Sequence, residues 1–391
     1  MFRVHMFRAD IGDSFLIEIG DSTECRILVD TGTATAWKKN IFPILVKACK
    51  EIDLMVITHI DRDHIGGAVD LLSQKSAYSL TIKEIWFNGL KQMLRGEASS
   101  ISEDYRELPS YIPPMSETGI ESNDISYYDG ITLSGLLHNL PQLWNTTFQG
   151  AAISEKSSTV AIGNSVKIVP ILPTEESLNK VFKGFQNELR QQRSDQWFPD
   201  SPALQDAFEQ FCYQNQSLWV ESNDISLNSQ KDISVLSKAV VLPDQSLTNA
   251  SSIGFILEFR ERRVLFLGDA TPKVSISALQ HWSEQTGNPL YFDAIKMPHH
   301  GSKRNCMELL DYVDSPIYLI SSDGSQYNHP SPETIAKIIS RPTEQSRCIV
   351  FNYPHSVYKQ FNDSEWMARY HYRVTVAEII DFMEVQHDGT I

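Results

Sequence analysis

The chain has 391 residues, 41% hydrophobic and 21% charged, an ordinary globular composition with apolar material for a large core, so disorder is not the expectation. Lys and Arg number 34 against 49 Asp and Glu, giving a formal net charge of -15, so the mean field repels polyanions and argues against strong non-specific binding to duplex nucleic acid. Cys25, Cys49, Cys212, Cys306 and Cys348 are odd in number, widely spaced and without a C-x-x-C pair; they read as reduced core residues.

In chain order, Arg3 to Arg8 and Ser14 to Ile19 suit two strands joined by the turn Ala9-Asp10-Ile11-Gly12-Asp13. A third short strand, Arg26 to Val29, ends at Asp30-Thr31-Gly32, and Ile41 to Glu51 follows as an amphipathic helix with Pro43 in its first turn. The apolar strand Leu54 to Thr58 runs into a His/Asp cluster, after which Gly66-Gly67 opens a helix through Ala68 to Gln74. Further strands are expected at Glu84 to Phe87, Ser165 to Ile171, Ile253 to Phe259, Arg263 to Leu267, Asp293 to Met297 and Ile317 to Ser321, and helices at Pro202 to Asn215, Val274 to Gln285 and Pro332 to Ile339. From about Thr174 to Thr248 the texture changes to Gln, Asn and Ser, with a Gln191 to Gln196 stretch and aromatic patches around Trp197 and Trp219. This reads as an insertion within a single domain spanning 1–391: a surface elaboration or dimer contact, or else a cap over the site. The N-terminus lacks the continuous apolar stretch of a secretory signal, and nothing reaches the roughly 18 to 20 apolar residues of a membrane span, so a cytoplasmic protein without a membrane partner is expected.

The chemistry is concentrated at strand ends. Within Thr58-His59-Ile60-Asp61-Arg62-Asp63-His64, two imidazoles and two carboxylates fall within six residues, the donor types that hold zinc, manganese or iron. Asp269 ends the apolar run Val264 to Leu267 in a Gly-Asp step, where a carboxylate can bridge two ions or simply make a turn. His299-His300-Gly301-Ser302 follows another strand. Because adjacent side chains diverge, one histidine is expected to ligate and the other to face substrate or a supporting carboxylate, while the Gly301-Ser302 backbone contacts an anionic oxygen. Ser331 and Pro332 read as a helix start, which leaves His329 as a candidate for lining the site.

Taken in order, Asp30-Thr31-Gly32, His59-x-Asp61-x-Asp63-His64, Gly268-Asp269, His299-His300-Gly301-Ser302 and His329-Pro330 resemble the metallo-β-lactamase superfamily, and most closely the metallo-β-lactamase domain of ComEC-type competence proteins and their stand-alone relatives. The resemblance covers the chain outside the insertion and the C-terminal tail. It implies an α/β fold, a four-layer αβ/βα sandwich with a mostly helical insertion, and two divalent metal ions, zinc or manganese. His59 and Asp61 would hold one ion, Asp63, His64 and one of His299 or His300 the other, with Asp269 bridging. Asp61 stands where most of the superfamily has a second histidine, which shifts preference towards manganese. The family's third-motif histidine is missing: Val169 to Pro173 offers no ligand, and His138 is the only histidine between His64 and Asp269.

The function these relatives imply is phosphodiester hydrolysis by a metal-activated water, with Asp63 orienting the water and His300 or His329 protonating the leaving group. Only scattered basic residues, Lys296, Lys303 and Arg304, flank the metal loop, so a nucleotide or short nucleic acid is as credible a substrate as duplex DNA. An ester, lactone or amide hydrolase of the same fold, and a non-catalytic partner or sensor subunit using the insertion as its surface, are the competing expectations.

Overall fold

Alternate residues of nearly every long strand belong to different hydrophobic clusters, and this period of two dictates the layering. The computed structural model describes residues 1–21, 25–74, 79–94, 132–163, 165–191, 202–214, 232–342 and 346–383. Trp197, Trp219, His387 and the Gln192 to Gln196 stretch lie outside them.

The first sheet is formed by β1 (Phe2–Met6), β2 (Phe15–Ile19), β3 (Cys25–Val29), β4 (Leu54–Val56) and β5 (Ile85–Trp86). The second contains β6 (Val160–Ile162), β7 (Val166–Leu172), β8 (Gly254–Phe259), β9 (Arg262–Phe266), β10 (Ala294–Lys296), β11 (Ile317–Ile320), β12 (Arg347–Phe351) and β13 (Tyr372–Val376). The last strand, β14 (Ile379–Asp381), returns to the first sheet and pairs antiparallel with β1. The orders are β14-β1-β2-β3-β4-β5 and β13-β12-β11-β10-β9-β8-β7-β6, with β3 to β5 and β9 to β13 running parallel.

Phe255, Leu257, Val264 and Phe266 meet Phe2, Phe15, Ile17 and Ile27 between the sheets. Their neighbours Ile256 and Leu265 face outward onto helices that include Pro272–Thr286 and Pro332–Ser340. Leu16, Leu28, Met55 and Ile57 face the other way, onto a second helical layer. Three apolar clusters separated by two sheets make the four-layer αβ/βα sandwich. All five cysteines are buried and unpaired. No described helix is long and apolar enough to cross a membrane.

Two elements differ from the sequence reading. Helices α2 (Glu175–Gln191) and α3 (Pro202–Gln214), within the expected insertion, contribute side chains to a buried core cluster, which a surface elaboration, dimer contact or cap need not do. Val181, Phe182, Phe185, Phe208 and Cys212 are buried in the outer cluster of the first sheet; polar residues dominate α2 though not α3, and an apolar stripe at helical spacing docks both. Glu209 of α3 is fully buried, accepts from the backbone N–H groups of Leu133 and Ser134, and is pushed up by burial to about 7. The second difference is the region after about Asn352, to which the sequence assigns no role: it supplies β13 and β14, the edge strands of the second and first sheets.

Phe208→Ala should therefore cost about 3 to 5 kcal/mol in urea unfolding, as for a core aromatic. A loss below about 1 kcal/mol, the scale of a surface substitution, would mean that α3 only rests on the domain.

Candidate metal centre

The His/Asp cluster begins where β4 stops. Helix α1 (Arg62–Ser73) starts four residues before the glycines expected to open it, with Asp61 at the N-cap, so Asp63 and His64 project from its first turn. Gly66 and Gly67 are interior and permit close approach: a Cβ on Gly67 would lie 2.6 Å from Thr31 O and from the Trp37 ring. The helix is thereby held against the Asp30 loop, where Thr31 N and Oγ1 both donate to His64 O at 2.8 Å, and Thr31 Oγ1 accepts from Ala68 N at 2.9 Å.

Each of the four imidazoles that meet at Asp269 has its Nδ1 engaged. His64 Nδ1 lies 2.8 Å from Asp30 Oδ2, and Asp30 in turn accepts from Thr58 N and Oγ1, both at 2.8 Å. His59 Nδ1 is 3.0 Å from Thr58 Oγ1, His299 Nδ1 3.0 Å from Asn305 Oδ1, and His300 Nδ1 3.1 Å from Ser321 O. Because Thr58 has already spent its proton on Asp30, and because a carbonyl can only accept, these contacts place a ring proton on Nδ1 and leave Nε2 as the nitrogen aimed at the centre. The four Nε2 atoms converge on one carboxylate oxygen, Asp269 Oδ2, at 3.8 Å (His59), 3.4 Å (His64), 3.8 Å (His299) and 3.5 Å (His300). Asp61 Oδ2 is 3.4 Å from His59 Nε2, and Asp63 Oδ2 is 3.1 Å from His300 Nε2 and 3.7 Å from His64 Nε2.

Nε2 of His59, His64 and His300 is buried without a hydrogen-bond partner. Ligands held at roughly 2.1 Å around one tetrahedral ion stand about 3.4 Å apart, which is the spacing seen here. These residues fit divalent cations. Among the described residues, the groups close enough to share an ion are His59, His64 and Asp269, and Asp13, His64 and His300.

The seven metal candidates His59, Asp61, Asp63, His64, Asp269, His299 and His300 thus come together from both sheets. The expected divergence of His299 and His300 does not occur. Alternation holds for extended chain, but both residues are left-handed (φ 49° and 53°), and the tight turn aims both rings at Asp269. His329 is buried edge-on to His299, with ring centroids 5.1 Å apart. His138 ends the short helix Leu133–His138 of the outer layer and belongs to neither ion-sharing group. Ser302 is also unlike its expected role: its N–H donates to His299 O and its hydroxyl accepts from Arg304 N, so it shapes the loop instead of meeting an anion.

Several partners escaped the sequence reading. Asp13 Oδ1 lies 3.2 Å from His300 Nδ1, and Asn305 Nδ2 donates to Asp269 O and to Asp244 Oδ2, both at 3.1 Å. Lys296, expected only as a basic residue flanking the metal loop, is buried among the carboxylates. The available signals were a polar residue closing the apolar strand Ala294–Lys296 and an aspartate directly after the turn glycine Gly12.

Electrostatically the cluster is a cation trap. Burial opposes charge on His64, yet Asp269, Asp30 and Asp63 hold it well above the ordinary histidine value; His300, likewise opposed by burial, is raised to about 10 by Asp269 and Asp13. His329 goes the other way, depressed by burial and by His299 and His300. With folded values above neutrality, His64 and His300 carry protons at pH 7.5 in the metal-free protein. Adding a divalent ion should then release about two protons per chain in a pH-stat, with affinity rising as pH rises; uptake or no release would show that these rings do not receive the ion.

The first hairpin must touch α1 closely for this geometry to hold. A Cβ on Gly12 would lie 1.9 Å from Asp63 O, a backbone atom that cannot swing away, while Asp13 N donates to the same oxygen at 3.2 Å. Gly12→Ala should lower stability by about 1 to 3 kcal/mol and weaken metal binding in calorimetric titration. Unchanged affinity would separate the hairpin from the centre.

Among solved structures, CmlA, a diiron beta-hydroxylase from Streptomyces venezuelae, is similar at 10% identity and TM-score 0.38, over 96% of this chain and 53% of that one. A variant of the CmlA beta-hydroxylase gives 12% and 0.37, over 85% and 49%. The chain spans about half the length of these structures. No curated protein matches it. The stretch that supplies the turn and second strand of the first hairpin, the Asp30 loop and the His59 to His64 motif, residues 8–138, matches the metallo-beta-lactamase superfamily.

Proposed function

We propose that the protein is a metal-dependent hydrolase that cleaves phosphodiesters of nucleotide or short-oligonucleotide size. The observation that carries this reading is the convergence of four Nε2 atoms on Asp269 Oδ2, flanked by Asp61 and Asp63. Two sets of donors share that oxygen: His59 with Asp61, and His64 with Asp63, His299 and His300. When bound, a pair of divalent ions, zinc or manganese, would supply Lewis acidity and a water-derived nucleophile at neutral pH. Asp63, the most exposed of the carboxylates paired with these histidines, is the group suited to orient water, with a side chain 21% exposed. His329, held neutral, keeps one N–H with which to hydrogen-bond a leaving oxygen.

The size limit follows from the basic residues. Lys296 is buried, Arg304 donates to Leu242 O and Pro243 O, and Lys303 lies 3.5 Å from Glu333. All three are engaged within the protein, and a long polyanion finds no cationic track among them.

The test is metal content by mass spectrometry, beside hydrolysis of bis-p-nitrophenyl phosphate and p-nitrophenyl acetate, on wild type and an Asp63→Ala, His64→Ala double variant. Wild type should hold about two ions per chain and cleave the diester, and the variant should lose more than about 100-fold of that rate. Cleavage of the acetate alone would replace the phosphodiesterase reading with an ester hydrolase. A wild type that takes up neither zinc nor manganese would leave the non-catalytic partner reading.

A further inference from the structure

Lys296 closes β10, the middle of three parallel neighbours in the second sheet. Ala294, two residues earlier, faces the core between the sheets, so strand alternation aims Lys296 into the same seam, at the end where the first hairpin lies. Its side chain is 2% exposed. An isolated ammonium in such surroundings costs on the order of several kcal/mol, so its partners decide why it is there.

Those partners are two carboxylates and one carbonyl. Lys296 Nζ pairs with Asp13 Oδ2, lies 3.8 Å from Asp269 Oδ1, and donates to Gly268 O at 3.3 Å. In both carboxylates the other oxygen does the work of the centre: Asp269 Oδ2 faces the four Nε2 atoms, and Asp13 Oδ1 faces His300 Nδ1 at 3.2 Å. One cation thus sorts the oxygens of two aspartates from opposite sheets.

We infer that Lys296 is a positioning residue of the metal centre: by engaging Asp269 Oδ1 and Asp13 Oδ2 it makes Asp269 present one oxygen to the ions and keeps Asp13 behind His300. The inference rests on the metal-centre reading above. A lysine serving only as counter-charge would compete with the ions, so its removal would strengthen their binding. A positioning lysine has the opposite sign: without it Asp269 turns, offers both oxygens and loosens the four-histidine cage. Substitution by arginine separates charge from position, because the planar guanidinium keeps the charge but spreads its donors over a wider fork than the compact ammonium.

The experiment titrates cobalt(II) into metal-stripped wild type, Lys296→Met and Lys296→Arg, reading affinity by chelator competition and ligand geometry by the visible d–d absorption, with circular dichroism as the check on folding. The expected result is a band in wild type, affinity lowered about 10- to 100-fold in Lys296→Met, and a changed band intensity in both variants as Asp269 alters its denticity. A folded Lys296→Met that binds cobalt as tightly as wild type or tighter overturns the proposal. If that variant does not fold, Lys296→Arg decides: a wild-type band and affinity there reduce Lys296 to a charge. A wild type that binds no cobalt overturns the metal-centre reading itself, and this proposal with it.

Discussion

The centre depends on the place of one oxygen. Asp269 Oδ2 extends from the end of β9 in the second sheet, yet His59 and His64 reach it from the first sheet, and each nitrogen stands within 3.8 Å of it. The distance between the sheets therefore has to be right at that end to a fraction of an ångström. Aromatic packing between them sets it: Phe15 meets Phe266 edge-on with centroids 5.8 Å apart, and Phe266 stacks on Phe255 at 5.3 Å. Close-packed interiors resist compression and expansion alike, so a core far from solvent acts as the spacer for a polar site at its rim.

Spacing alone would not make the rings point inward. The chain does that with backbone conformations that ordinary residues avoid: Asp30, His299 and His300 have φ of 55°, 49° and 53°. Such residues cost about 1 to 3 kcal/mol each and persist when their surroundings over-determine them. Asp30 is determined by Thr58 and His64 on its carboxylate and by Val56 O on its N–H. The histidine turn is determined by Asn305, Ser321 and the backbone bond from Ser302 N to His299 O. The strain sits where orientation is needed, and the hydrogen bonds that sustain it are the same ones that fix each ring's tautomer.

Much of this was legible in the sequence because the ligands are local. His59, Asp61, Asp63 and His64 arrive together, and strand ends marked by Gly-Asp or His-His-Gly announce the rest. What stayed hidden depended on tertiary contact. The start of α1 stayed hidden because Gly66 and Gly67 look like a helix opening, when they admit the backbone of Gly32 and Ala34, and Thr31 and Trp37, against the helix. The core contact of α2 and α3 stayed hidden because Gln, Asn and Ser mark the whole stretch as an insertion, and a stripe of a few aromatics is easily outvoted in composition. Asp13 reads only as a turn residue and Lys296 only as a basic residue flanking the metal loop, since nothing in one dimension brings the first hairpin to the end of β10.

The acidity of the protein and of its centre bear on function in opposite ways. A net charge of -15 repels a distant anion, and near the site Lys303 and Arg304 are tied to Glu333 and to backbone carbonyls. Inside, Asp13, Asp30 and Asp269 are almost fully buried, with Lys296 beside them and Asp61 and Asp63 partly open. Five carboxylates against one ammonium leave a formal deficit that two divalent charges would cancel. Attraction for an anionic group would then come from the ions and act at short range, because the surrounding field is unfavourable and screened within about 8 to 10 Å. A ligand small enough to place its one or two charges within that radius gains the attraction and escapes most of the repulsion, whereas each further phosphate of a long chain adds to the repulsion alone.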